Sequence, residues 1–321
     1  MDFLKIEIKE MKFKTIHYIA LIFLVILVMA PFTPLSARLP FLYLTLFWIV
    51  FVGSFNIITG FTGYVPFGQV MFLGAGSYAA VLSIVKLGIS PYIAIIIGGL
   101  ASMALAFIIG YPTLRLRGAY FSIATIALNE ALKVIIYNAP EEITGGPMGV
   151  TLPTELFEPI ICYYLMLSLA VITVLITYFI ANSKFGMGLM AIREDEDAAA
   201  VLGVNAHKLK LMAFMISALI AGMAGSIHAW RTMYIEAVSE FEIHKTVIGL
   251  AMLMFGGAGT VTGPILGATI LYTIEDYFWA QFPFAHMIIV GLIIIVVVLF
   301  VPQGLVGWLR QKMPKMKELL F

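Results

Sequence analysis

Residues 193–197 read Arg-Glu-Asp-Glu-Asp without interruption, in a chain where only 12% of residues are charged. A run of that kind, beside small apolar residues, suits a groove on a partner protein, or else is a solvated connector. Glu130 and Lys133 form a second grouping, three apart and so on one side of a helix. Glu275 and Asp276 form a third, near the outer end of an apolar run. The five histidines (His17, His207, His228, His244, His286) are far apart and show no ligand spacing, so no metal site is expected. Cys162 is the one cysteine, which excludes a disulfide framework within the chain. No Ser/His/Asp or Cys/His grouping stands out for covalent catalysis, and the chain is not expected to be an enzyme. The pattern G-x-x-x-x-G-K-[ST] is absent, so any ATP must be bound by another subunit. The formal net charge of +1 gives no reason to expect nucleic acid.

The elements that position these groups follow from composition. The 321 residues are 62% hydrophobic, with mean hydropathy +1.03. A soluble domain carries about 25% charged residues, so the chain reads as an all-α, polytopic transmembrane bundle. Apolar runs are continuous rather than alternating, which disfavours a barrel. Candidate spans lie near 17–35, 40–59, 65–86, 91–111, 118–138, 159–181, 208–230, 245–257, 262–280 and 284–302. That is about 10 spans, with 8–10 allowed by the weak windows. The basic N-terminal segment MDFLKIEIKEMKFK leads into an apolar run without a convincing cleavage site, and is read as the lead into an uncleaved first span. With the N-terminus cytoplasmic, only Arg38, Lys86, Arg231 and Lys245 fall outside, and Lys133 sits near an outer span end; the other fourteen of the 19 Lys and Arg are inside. The positive-inside rule therefore places both termini in the cytoplasm.

Two windows are irregular. Residues 245–257 are too short to cross about 30 Å of hydrocarbon as a helix, and GFTGYVPFGQ at 60–69 carries Pro66 with Gly60, Gly63 and Gly68. These are either tight turns or interrupted helices beside a translocation path. Gly259, Gly263 and Gly267 repeat every four residues and are expected to share one helix face for close packing. Asn56, Thr59, Gln69, Ser77 and Asn129 are candidate pore-lining polar residues. Glu130 is a functional candidate as an intramembrane carboxylate, or else a partner that simply neutralises Lys133.

The charged run belongs to a cytoplasmic loop, 183–207. REDEDAAAVLG at 193–203 reads as one short helix with acidic residues in its first turn, Gly203 as the cap residue beyond its end and Asn205 capping the next helix.

Asp197-Ala198-Ala199 followed four residues later by Gly203 resembles the E-A-A-x-x-x-G signature of ABC-importer permeases, with Asp in place of Glu. FGMGLMAIREDEDAAAVLGVNAHKLKLMAFMISALIAGMAGSIHA, GYVPFGQVMFLGAGSYAA, PTLRLRGAYFSIATIALNE, TGGPMGV, FGGAGTVTGPILGA and VPQGLVG resemble, in order, the LivM-type permease subunits of branched-chain amino acid ABC transporters. This resemblance implies a single permease domain over 1–321 in the cell membrane. It also implies two ABC ATPase subunits that bind ATP and Mg, a second homologous permease and an extracytoplasmic solute-binding protein. Arg193, Glu194, Asp197, Ala198, Ala199 and Gly203 would form the helix that docks on the ATPase. Asp197 shortens the usual Glu by one methylene, which is expected to alter partner contacts, and Pro66 replaces a small polar residue, which is expected to stiffen the start of the third span. A urea or short-amide permease of the same family is an open alternative, and so is an ion-coupled secondary transporter.

Overall fold

A computed structural model describes residues 23–282, 291–292 and 304–312. The predicted span at 284–302, apart from residues 291–292, and the start of the one at 17–35 lie outside these residues. An apolar helix, α1 (Phe23–Phe32), precedes six helices long and apolar enough to cross a membrane. They are α2 (Ser36–Gly60), α3 (Val70–Leu87), α4 (Pro91–Thr113), α5 (Ala119–Tyr137), α7 (Pro159–Ala181) and α10 (Ala206–Thr232). All six coincide with predicted windows, because runs of roughly 20 apolar residues have few other ways to satisfy their backbone. Between them lie α6 (Glu141–Thr144), α8 (Lys184–Glu194) and α9 (Glu196–Val201). Beyond α10 come α11 (Ala237–Glu240), α12 (Ile243–Gly256), α13 (Gly263–Gln281) and α14 (Gly304–Lys312).

The centre is α10 packed on α3 and α4, and glycine makes the approach possible. A Cβ on Gly76 would stand 2.2 Å from the Gly222 carbonyl oxygen, and one on Gly222 would stand 2.3 Å from Ser102 Oγ. Ser226 donates to the Gly76 carbonyl (3.1 Å), and Ser102 donates to that of Phe72 (2.7 Å). Where lipid tails remove the hydrophobic drive between helices, such close packing and interhelical hydrogen bonds hold them together.

The two irregular windows are real breaks, and they meet. α2 widens into a π-helical turn over Asn56–Gly60, and after Thr62 the chain runs without regular helix until Val70. α12 is 14 residues, so about 21 Å long at 1.5 Å per residue. Asn56 joins the breaks. Its Nδ2 donates to the Thr260 carbonyl (2.9 Å), and its Oδ1 accepts from the Gly259 N–H (2.8 Å). Gly259 therefore does not share a helix face with Gly263 and Gly267, as their spacing had implied. It lies in the loop at φ +80°, because the residues 257–262 turn the chain between α12 and α13. Gly263 and Gly267 lie on α13 against the Gly257 and Met252 carbonyls, where a Cβ would come within 2.2 and 1.9 Å.

At the opposite end of α10 the long 139–158 loop is fastened down. Its strand β1 (Val150–Thr151) pairs antiparallel with β2 (Tyr234–Ile235) just past α10, and Trp230 Nε1 donates to the Leu156 carbonyl (2.7 Å).

Gly60→Ala tests the junction, because its Cβ would lie 1.9 Å from Asn56 Oδ1 and 2.5 Å from the Gly259 nitrogen. Overpacking of this kind costs about 1–3 kcal/mol. The variant should show a lower thermal midpoint in detergent than wild type, and an unchanged midpoint would refute the tight junction.

Candidate functional site

The charged run is built into three capped helices in succession. Ser183 Oγ accepts from the Gly186 N–H (3.1 Å) and starts α8. At Asp195 the backbone becomes extended, with φ −159° and ψ 114°, and its carboxylate accepts from the N–H groups of Asp197 and Ala198 (2.9 Å each) to start α9. The expected single helix over 193–203 is thus two. Arg193 and Glu194 close α8, whereas Asp197, Ala198 and Ala199 belong to α9. The split has a local cause: the Asp195 carboxylate satisfies two amides that a continuous helix would have bonded to earlier carbonyls. α9 then ends as expected. Gly203 has φ +88°, its N–H bonds the Ala200 carbonyl, and the Val204 N–H reaches the Ala199 carbonyl. This nested pair needs a left-handed residue at Gly203. Asn205 Oδ1 accepts from the Lys208 N–H (3.0 Å) and starts α10.

Three contacts bind this unit to the bundle. Lys210, in the first turns of α10, is 1% exposed. Its ammonium donates to Glu196 Oε1 (2.7 Å), to the Tyr64 hydroxyl (2.9 Å) and to the Leu114 carbonyl (3.1 Å). An ammonium has three donors, and all three are used. Tyr64 in turn donates to Glu196 Oε2, and its ring lies 4.1 Å from Lys210 Nζ. A second contact is a bidentate pair, Arg117 with Asp197 (2.8 and 2.9 Å), on the exposed side. Arg193 makes the third by donating to the Gly60 carbonyl (2.6 Å) at the junction of the two breaks. Ala199 of the same helix as Asp197 is itself buried.

The charges shift accordingly. Burial pushes the Glu196 carboxyl upward, but the hydrogen bonds from Lys210 and Tyr64 outweigh it and leave the group below its ordinary range. Burial, reinforced by the bond to Glu196, raises the Tyr64 phenol. The hydrogen bonds from Arg117 hold Asp197 below the usual carboxylate range.

Glu194, Ala198 and Asp197 face solvent. Val201 and Leu202, two aliphatic residues at the tip of α9, are 88% and 83% exposed. The other predicted polar residues are inside the bundle. Asn56, Gln69, Ser77 and Asn129 are fully buried, and Thr59 is 5% exposed. Gln69 donates to Ser217 Oγ (2.7 Å), Ser77 to Glu240 (2.6 Å), Asn129 to the Phe241 carbonyl (2.9 Å) and Thr59 to that of Tyr64 (3.1 Å). Sequence reasoning did not single out Tyr64, Glu196 or Lys210 as a unit. The usable signal was a lysine inside an apolar span, where an ionisable group requires a partner. Among the described residues no three His, Cys, Asp or Glu gather to hold a metal ion.

A helical membrane permease with an amphiphilic helix anchored beside interrupted spans is the class this arrangement defines. The chain belongs to the family described as branched-chain amino acid transport system / permease component, which matches residues 38–298. It is 28% identical to the high-affinity branched-chain amino acid transport system permease protein LivM of Escherichia coli K12, over 90% of this chain and 75% of that one. It is 26% identical to the probable LivM of Methanocaldococcus jannaschii, over 70% and 71% of the two chains. The ribose import permease RbsC of Bacillus subtilis is 25% identical over 78% and 79%. No solved structure matches the chain.

Lys210→Met and Glu196→Gln should be non-additive in a double-mutant cycle of unfolding, with a coupling on the order of 1–3 kcal/mol; strict additivity would dissolve the network. The pH dependence has a definite sign. A carboxyl held lower in the folded than in the unfolded chain stabilises above the ordinary carboxylate pKa of about 4, and that contribution is lost as pH falls through the folded value. The thermal midpoint should therefore hold from neutral pH down to about 5 and then fall. Glu196→Gln should make that acid fall shallower, and an identical slope would contradict the assignment.

Proposed function

We propose that this chain is the transmembrane subunit of an ABC importer for branched-chain, or similarly hydrophobic, amino acids. In this reading the whole chain is one permease domain with about ten spans and both termini cytoplasmic. α9, carried by the 183–207 loop, is the helix seated in a cleft of a cytoplasmic ATPase subunit. The observation that carries this reading is the combination at α9 itself. Its outer tip offers Val201 and Leu202 beside charged residues, while Glu196 is fixed on its inner side to Lys210 and Tyr64, and Asp197 on its exposed side to Arg117, three segments of the bundle in all. A partner that moves the tip moves the spans, because the unit has no slack in which to absorb the displacement.

Two ATPase subunits bind ATP and Mg in this scheme, and a second homologous permease completes the pore. A solute-binding protein on the outer side delivers substrate and sets most of the specificity. The permease itself then needs only a transient site, since tight binding would retard release. The 139–158 loop is the surface for that binding protein, supported by its anchorage through β1 and Trp230.

The deciding experiment is gentle purification with mass spectrometry, together with ATP-driven uptake in proteoliposomes. P-loop ATPases and a second apolar permease should co-purify with the wild-type chain. They should be lost when residues 193–197 are replaced by alanine. Gly203→Pro should insert normally and yet abolish uptake, because proline can neither adopt φ +88° nor donate to the Ala200 carbonyl. Normal uptake in that variant, or uptake driven by an ion gradient without ATP, would overturn the proposal.

A further inference from the structure

α5 differs from the other five candidate spans. Only 17% of its apolar window is buried, against 44–83% for the rest. Its buried side is a single narrow seam of Phe121, Thr125 and Asn129, tied by hydrogen bonds to the break before α3 and to Phe241. The large exposed side chains of α4 and α7 are apolar or aromatic, as lipid requires, with Ile96, Leu100 and Ile108 on one and Ile172, Leu175 and Phe179 on the other. On α5 the uncovered side carries an ion pair, Glu130 with Lys133, at 2.5 Å and with side chains 38% and 27% exposed. Glu130 is the sole Asp or Glu within the six spans. An ion pair presented to hydrocarbon is strongly unfavourable, so this side of α5 requires water or a polar partner.

We propose that Glu130 and Lys133 are the transient recognition point for the charged head group of a zwitterionic α-amino acid, on a wetted face of α5. This rests on the importer reading and adds the contact that the reading lacks. The chemistry is an exchange of partners. The substrate ammonium takes Glu130 and its carboxylate takes Lys133, so that one ion pair becomes two without net charge entering the membrane. Beside them the Asn129 Oδ1 is buried without a hydrogen-bond partner, while its Nδ2 is fixed to the Phe241 carbonyl. One turn before Glu130 stands Ala127, which is exposed and small, with Ile123 and Val134 exposed along the same side. That arrangement leaves room for a branched aliphatic side chain against apolar neighbours. It also accounts for the opposite signs of the two charges: a site for a cation or an anion alone would need only one.

Two measurements on the complete, reconstituted transporter test this. The first compares Glu130→Gln with the doubly neutral Glu130→Gln/Lys133→Gln. Both should lose uptake at least tenfold while binding-protein-stimulated ATP hydrolysis stays within twofold. Wild-type uptake in the double variant would mean that the two groups merely neutralise one another, and would overturn the proposal. The second is independent of whether those variants assemble. Cysteine at Ala127 should react with a water-soluble methanethiosulfonate at least tenfold faster than cysteine at Ile172 on α7, and leucine should slow the reaction. Equal rates would place this side of α5 in lipid and refute the site. If the wild-type complex moves no amino acid with ATP while cysteine at position 127 still labels rapidly, the importer reading has failed rather than the wetted face.

Discussion

A lysine ammonium with no access to bulk water has to find three acceptors within the protein, and the chain is arranged around that requirement at Lys210. The desolvation of such a charge is recovered only when geometry and hydrogen bonding are complete. Glu196, Tyr64 and the Leu114 carbonyl supply the completion. They come from α9, from the irregular segment before α3 and from the residue just past α4, so the relative positions of those elements follow from one side chain. The exposed pair of Arg117 with Asp197 adds direction rather than strength, because solvent screens it.

The junction of the two breaks depends on a similar principle at lower charge density. Interrupted helices leave backbone groups without partners, and these are tolerated at membrane depth only where protein satisfies them. The Asn56 amide does so with both its donor and its acceptor, bridging to the loop between α12 and α13. Arg193 reaches the same place from α8 and takes the Gly60 carbonyl. The most polar stretch of the chain and the two places where its spans are discontinuous are therefore one connected structure. Glycine at 60 and 259 is what lets three segments converge there.

Much of this was legible beforehand, and the misses have physical reasons. Run length and apolarity located all six spans, and cap residues located the C-terminal end of α9 and the start of α10, since Gly203 and Asn205 act locally. Asp195 was harder. An acidic residue in a first helical turn and an acidic residue that ends one helix to begin another have the same composition, and only backbone geometry separates them. The four-residue glycine repeat misled because helix faces and tight loops both favour that residue; Gly259 serves a turn. The partnership of Lys210 with Tyr64 joins positions 146 residues apart, and no local pattern encodes such a distance.

α10 is 27 residues long and is anchored at both ends, by Asn205 and Lys210 at one and by β2 and Trp230 at the other. A rod fixed in this way ties the conformations of its two ends together. Thermodynamics then makes the connection symmetrical. If a protein held at the α9 end alters the affinity of the 139–158 loop for its own partner by some factor, then occupancy of that loop must alter affinity at α9 by the same factor. Under that condition neither end of α10 is only a sender.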